Sequence, residues 1–256
     1  MSFKRNDPNT PLTVAGVVRL ADKYLIEPLH RRLVQQVCDD WPTTLTDYDI
    51  RQGEIDVLRK VATSNVPIQY GADSDHKERL SDIIPEPASA ILFAREFQCP
   101  QILPAAFYAL SLIPVANDWS RKLTYSRLAR WSILDGESLF KCMQGCQALR
   151  RYHPFVPQFL SETCESAWEF ESSNTPCSRF VTRLFTVTFK EGPAAVTHRD
   201  PLRQLDRCSR YWEIPELSHE QCPDRLCEDC QIEIGGKLAE ERKKIWGELS
   251  KYFGLD

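Results

Sequence analysis

Apolar positions along this chain recur every three to four residues far more often than every two. Val14, Val17, Val18, Ala21 and Leu25 keep helical spacing. Pro11 stands at the opening of that run, and Thr13 is its expected cap. Leu25-Ile26-Glu27-Pro28 then bends the chain, because proline suits a first helical turn. Leu29, Leu33 and Val37 follow as a second short helix ending near Asp40, and the two are expected to run antiparallel. Trp41-Pro42 breaks the pattern. Thr44 restarts it as the cap of a third helix carrying Leu45, Tyr48, Ile55, Leu58 and Val61. Gly53 inside that helix costs about 1 kcal/mol relative to alanine.

Residues 63–87 show no period and hold a charged run, so they read as a loop. Beyond them Ala90, Ile91, Ala94 and Phe97 form one helical face, stopped by Cys99-Pro100. Ile102, Leu103, Ala106, Phe107 and Leu110 form the next, and both stretches are apolar enough to be the core. Residues 123–128 read as a short turn or helix. Asp135 is the expected cap of a longer helix with Leu139, Cys142, Met143, Cys146 and Leu149 on one side. At 180–189, Phe180, Val181, Leu184 and Val187 favour a helix, while the β-branched and aromatic residues leave a strand open. Residues 200–212 are ambiguous, and 214–229 read mostly as loop. The last helix is the clearest: Ile234, Leu238, Ile245, Leu249 and Tyr252 share a face, and Gly254 is placed to end it. The expected fold class is all-α, an irregular multi-helix array.

Length and composition fit a globular protein. The chain has 256 residues, 42% of them hydrophobic and 27% charged, and a chain of this size buries about 70–75% of its unfolded surface. Its net charge of −4 lacks the basic excess of a general nucleic-acid binder. The longest apolar stretches, such as residues 104–115, fall short of the roughly 20 residues that span a bilayer. Met1-Ser2-Phe3-Lys4-Arg5-Asn6-Asp7 has no apolar run of the kind a signal peptide needs. The expectation is therefore an intracellular protein, cytoplasmic or nuclear, without a nucleic-acid or membrane partner. Its ten cysteines are expected to be reduced, most of them packing as small hydrophobes.

Catalytic signatures have recognisable residue patterns. A phosphate loop needs closely spaced glycines before a helix; here the only adjacent pair is Gly235-Gly236, and no Gly-Lys-Ser/Thr follows a glycine run. Gly-x-Ser-x-Gly and His-Glu-x-x-His are absent. The one metal-like cluster is His219-x-x-Cys222-x-x-x-x-Cys227-x-x-Cys230. Zinc takes four nitrogen or sulfur ligands in a tetrahedron, and a Cys-x-x-Cys pair supplies two from one turn. His219 and Cys222 are the candidates for the other two. The set is compressed into twelve residues, and the competing reading is that Cys227 and Cys230 pack the start of the final helix. Cys142 and Cys146, one turn apart, are read as core. His30, His76, His153 and His198 are isolated and read as surface or capping residues.

Three stretches carry a family resemblance. Val18-Arg19-Leu20-Ala21-Asp22-Lys23-Tyr24-Leu25-Ile26-Glu27-Pro28-Leu29, continuing to Trp41-Pro42-Thr43-Thr44-Leu45, resembles the end of a BTB/POZ domain in fungal, especially basidiomycete, proteins. Ala94-Arg95-Glu96-Phe97, followed by Ile102-Leu103-Pro104-Ala105-Ala106-Phe107-Tyr108-Ala109-Leu110, is similar to a helix in the C-terminal half of the same proteins. Cys227-x-x-Cys230, leading to Ile245-Trp246 and Tyr252-Phe253-Gly254-Leu255, looks like their ending. The resemblance implies a helical extension of the kind that follows a BTB fold: residues 1–62 as the last BTB helices and exit helix, 63–87 as a loop, and 88–256 as a C-terminal helical domain. About a dozen residues precede the first helix, so the BTB sheet has no expected counterpart, and BTB-type homodimerisation does not carry over. The function implied is non-catalytic binding of a protein partner, as an adaptor or regulatory scaffold, with no cofactor. The alternative reading is a zinc-binding, transcription-related regulatory domain built on the four-residue cluster.

Overall fold

The computed structural model describes residues 4–64, 79–123, 126–151, 176–185, 200–210 and 226–256. The described residues are predominantly helical, with one isolated β-bridge between Asp118 and Ala129, in agreement with an all-α fold. None of their helices is long and apolar enough to cross a membrane. The helices are α1 (Thr10–Lys23), α2 (Glu27–Cys38), α3 (Leu45–Ser64), α4 (Pro87–Glu96), α5 (Leu103–Ser111), α6 (Gly136–Arg151), α7 (Pro176–Phe185), α8 (Pro201–Arg210), α9 (Glu228–Gly247) and α10 (Leu249–Tyr252). The chain divides into two compact units. One comprises Met1–Cys146 with Leu249–Asp256, the other Gln147–Glu248.

In the first unit α1 packs on α2 and α4, α4 on α5, and α5 on α10. The core is centred on α5, where Ala106, Phe107 and Leu110 are wholly inaccessible and Tyr108 nearly so. Phe253, just past α10, stacks on Phe107 at 5.5 Å between ring centroids. That ring also lies close to Gly145 of α6. A Cβ added to Gly145 would overlap the Phe253 ring and lie 2.7 Å from its Cζ, so the position demands glycine for close approach rather than for a turn. A satellite cluster of Ile55, Leu80 and Ile84 joins α3 to the turn at Leu80–Asp82.

Local signals explain most helix ends. Thr44 Oγ1 accepts the Asp47 N–H at 3.1 Å, and Asp135 accepts that of Ser138 at 2.8 Å, so both expected caps form. Thr13 does not cap α1; the helix starts one turn earlier, with Asn9 as its N-cap and Pro11 in the first turn. Met143 does not share the inner face of α6: it is exposed, while Cys142 and Leu149 are buried. Residues 180–185 are helical, and residues 186–189 lie outside the described set.

Glu86 is the buried strut of this unit. Its Oε1 accepts the N–H groups of Ala88 (2.9 Å) and Arg130 (3.1 Å), and its Oε2 accepts that of Ser89 at 2.8 Å. The Arg130 guanidinium reaches Oε2 at 3.5 Å, donates to the Pro8 carbonyl and lies 4.0 Å over the Trp119 ring. A charge this deeply buried is tolerated because every lone pair it presents meets a donor. At the surface, Arg19 pairs with Glu96 between α1 and α4, and Arg95 pairs with Asp135 and Glu137 at the start of α6.

In the second unit α8 packs on α9. Leu202, Leu205 and Cys208 of α8 are inaccessible, as are Ile234 and Leu238 of α9. Arg242 ties the two helices, donating to the Leu202 carbonyl at 3.1 Å and lying 3.5 Å from Asp206. The last turn of the clearest sequence helix is set off at Glu248, and that turn stops at Gly254, whose φ of 58° is the left-handed value a helix stop uses.

Candidate functional site

Two features of the described surface and interior carry chemistry: a corner between α1 and α2, and a cluster of thiols in the second unit.

The corner grows from the way α1 ends. Leu25 adopts φ 55°, its N–H donates to the Asp22 carbonyl at 3.1 Å, and the N–H of Ile26 donates to that of Ala21 at 2.8 Å. This is the hydrogen-bond pattern of a helix stop that normally uses glycine. The same pattern closes α10, where Gly254 fills the left-handed position. A leucine held in that region costs about 1–2 kcal/mol, and this one recovers nothing by packing, since it is 86% exposed. Leu20, Tyr24, Ile26 and Leu29, all within five residues of it in the chain, are exposed as well. Asp22, Lys23, Glu27 and Arg31 edge it with charge of both signs.

The thiol cluster is built by two helix starts. Cys227 is the N-cap of α9, with extended backbone, and Cys230 occupies the third helical position. Side chains at those two positions face one another, the geometry a capping box uses. Cys177 comes from the first turn of α7, directly after Pro176. The Sγ atoms of Cys177, Cys227 and Cys230 all lie within 4.8 Å of one another. Cys177 and Cys227 are 3.8 Å apart at sulfur, and the Cys227 N–H donates to Cys177 Sγ at 3.3 Å. Cys177 and Cys230 are buried and Cys227 half-buried. Of the sequence-derived ligand set, Cys227 and Cys230 are thus brought together, while His219 and Cys222 lie outside the described residues. Cys177 was missed by sequence reasoning because it stands 50 residues from Cys227.

Other thiols pair without forming such a group. Cys38, at the end of α2, is buried near Cys99, and Gln101 Nε2 donates to its sulfur at 3.4 Å. The hydrogen bond to Cys99, together with burial, holds the Cys38 thiol protonated well above its ordinary range. Cys142 is raised in the same way by Cys146 and by burial. No disulfide joins the described cysteines. His30, the one histidine among the described residues, packs edge-on against Phe97 with Nε2 3.8 Å from Asp22. Two clefts flank the end of α2. One, of about 450 Å³, is lined by Lys4, Arg5, Arg32, Gln35, Asp39 and Asp40; the other, of about 330 Å³, includes Cys38, Asp47, Arg51 and Glu54.

Comparison of the chain with protein-family models, with curated proteins and with solved structures finds no match.

Proposed function

We propose that this chain is a non-catalytic protein–protein interaction module of a BTB-like protein, acting as an adaptor or regulatory scaffold through the α1–α2 corner. The observation that carries this reading is Leu25, strained and exposed at the centre of an apolar surface. Backbone strain and an exposed large side chain both oppose folding, and a sequence free to choose would place glycine or asparagine there. An apolar group kept at such a cost is the mark of a surface that is covered by a partner. The corner lies within the stretch that resembles the end of a BTB domain, which supports the same assignment. The mixed charge around it suits a protein surface better than a nucleic acid or a membrane.

Comparative affinity capture tests the reading, using the wild-type chain and the double variant Leu25→Asp/Leu29→Asp as baits. Both positions are exposed, so the variant is expected to keep its helical circular dichroism. A set of proteins recovered by the wild type and depleted at least tenfold with the variant is the expected result. Equal recovery by both baits would remove the corner from function. Size-exclusion with light scattering on the same proteins separates a foreign partner from a second copy of this chain.

A further inference from the structure

We propose that Cys177, Cys227 and Cys230 form a thiolate site for a zinc ion in the second unit. The inference stands apart from the interaction reading and uses no residue of the α1–α2 corner.

Geometry is the first support. Zinc–thiolate bonds of about 2.3 Å in a tetrahedron put the sulfurs about 3.8 Å apart. That is the Cys177–Cys227 separation of 3.8 Å, and the third sulfur is within 4.8 Å of both. Disulfide sulfurs would stand near 2.05 Å, so the two thiols are not bonded to each other, and their spacing is one that a shared zinc ion allows.

Electrostatics is the second. Cys177 lies in the first turn of α7, and Cys227 and Cys230 in the first turn of α9. Helix N-termini carry partial positive charge and suit a site of net negative charge. The Cys227 N–H aimed at Cys177 Sγ is the kind of amide–sulfur hydrogen bond that neutralises charge on a metal-bound thiolate. Three thiolates this close repel one another unless a cation lies between them. On binding, each thiol loses its proton to solvent and each sulfur donates a lone pair to zinc, so the ion exchanges three protons for three Zn–S bonds. With three thiolates the site carries one net negative charge, which the two helix N-termini face. The fourth tetrahedral position is left to water or to a further protein ligand.

The third support is topological. The ion would tie the start of α7 to the start of α9 across 50 residues of chain. Clips that close long segments remove the most entropy from the unfolded chain, so binding energy becomes folding energy of the unit.

The test uses the full chain, purified under reducing conditions without chelator. Elemental analysis is expected to find about one zinc per chain, and cobalt(II) substitution to give tetrahedral d–d bands with thiolate-to-cobalt charge transfer. Cys227→Ser is the informative variant. Serine is among the best N-caps, so α9 keeps its start while the site loses a thiolate. It is expected to lower metal content at least tenfold with helicity retained, and Cys177→Ser to do the same. Cys208→Ser, buried in α8 of the same unit, is expected to keep the metal. Separate His219→Ala and Cys222→Ser variants report the fourth ligand: loss of affinity in one names it, and unchanged affinity in both leaves water there. Wild-type protein that takes up neither zinc nor cobalt stoichiometrically would overturn the site. So would a Cys227→Ser variant holding wild-type metal.

Discussion

Gly145→Ala is expected to destabilise the first unit even though alanine is the better helix former. In an open helix interior the change gains about 1 kcal/mol. At Gly145 the new Cβ overlaps the Phe253 ring. That ring cannot swing clear, because it is wholly buried and stacked on Phe107, itself wholly buried. Inserting a methyl group into a packed core costs about 1–3 kcal/mol. Expelling the ring altogether approaches the roughly 3–5 kcal/mol of a Phe→Ala truncation. A rigid neighbour places the cost near the top of the first range, about 3 kcal/mol, leaving a net loss of about 2 kcal/mol. For a chain of this size that lowers the melting temperature by about 4–8 °C. Gly53→Ala is the internal control, since its Cβ meets nothing within 4 Å in α3; it is expected to raise the melting temperature. Thermal unfolding followed by circular dichroism reads both. In a double-mutant cycle, Phe253→Leu should cost less in the Gly145→Ala background than alone, because the smaller side chain yields the space. Gly145→Ala rising in step with Gly53→Ala, with additive Phe253→Leu, would refute the close approach of α6 and the C-terminal segment.

Further expectations concern charge. Glu86→Gln should be nearly as harmful as Glu86→Ala, about 3 kcal/mol or more by denaturant unfolding, because both carboxylate oxygens already accept N–H donors and an amide nitrogen would face one of them. Stability should fall on acidification through the carboxylate range. Glu96 is held below its ordinary value by Arg19, and Asp135 by the Ser138 N–H and by Arg95. Burial raises Asp82, but the Arg79 guanidinium and N–H outweigh it. A carboxylate lowered in the folded state binds fewer protons there than when unfolded, so its contribution is present above the unfolded value and lost as pH drops through the folded one. Asp40, raised by burial, has the opposite sign, so Asp40→Asn should steepen the acid loss. Urea unfolding at stepped pH reads the slope, and a stability that rises as pH drops through this range would contradict these ion pairs.

The helices that packing needs most were the most legible. Residues 90–97, 102–110 and 234–249 carry apolar faces at helical spacing, and they fall in α4, α5, α9 and α10. Caps with a side-chain acceptor at the right distance, Thr44 and Asp135, were legible too. Asn9 displaced Thr13 because Pro11 fits the first turn of a helix that starts earlier. Met143 was misplaced because an apolar residue next to a stripe is not thereby on it, and its position one residue from Cys142 rotates it outward. Leu25 could not be read as a left-handed helix stop, since the usual signal is glycine. The thiol cluster was half legible: Cys227-x-x-Cys230 is a local pattern, whereas Cys177 joins it only through the fold.

The α1–α2 corner is tested most directly by Leu25→Asn, measured twice on one preparation. Asparagine tolerates the left-handed backbone, so the melting temperature should hold or rise. Titration calorimetry against a partner recovered by the wild type should show affinity weakened tenfold or more, since the apolar burial of one leucine is worth about 1.5–3 kcal/mol. A variant that melts lower and binds as tightly as wild type would show that Leu25 serves the fold, and would contradict the corner as a docking surface.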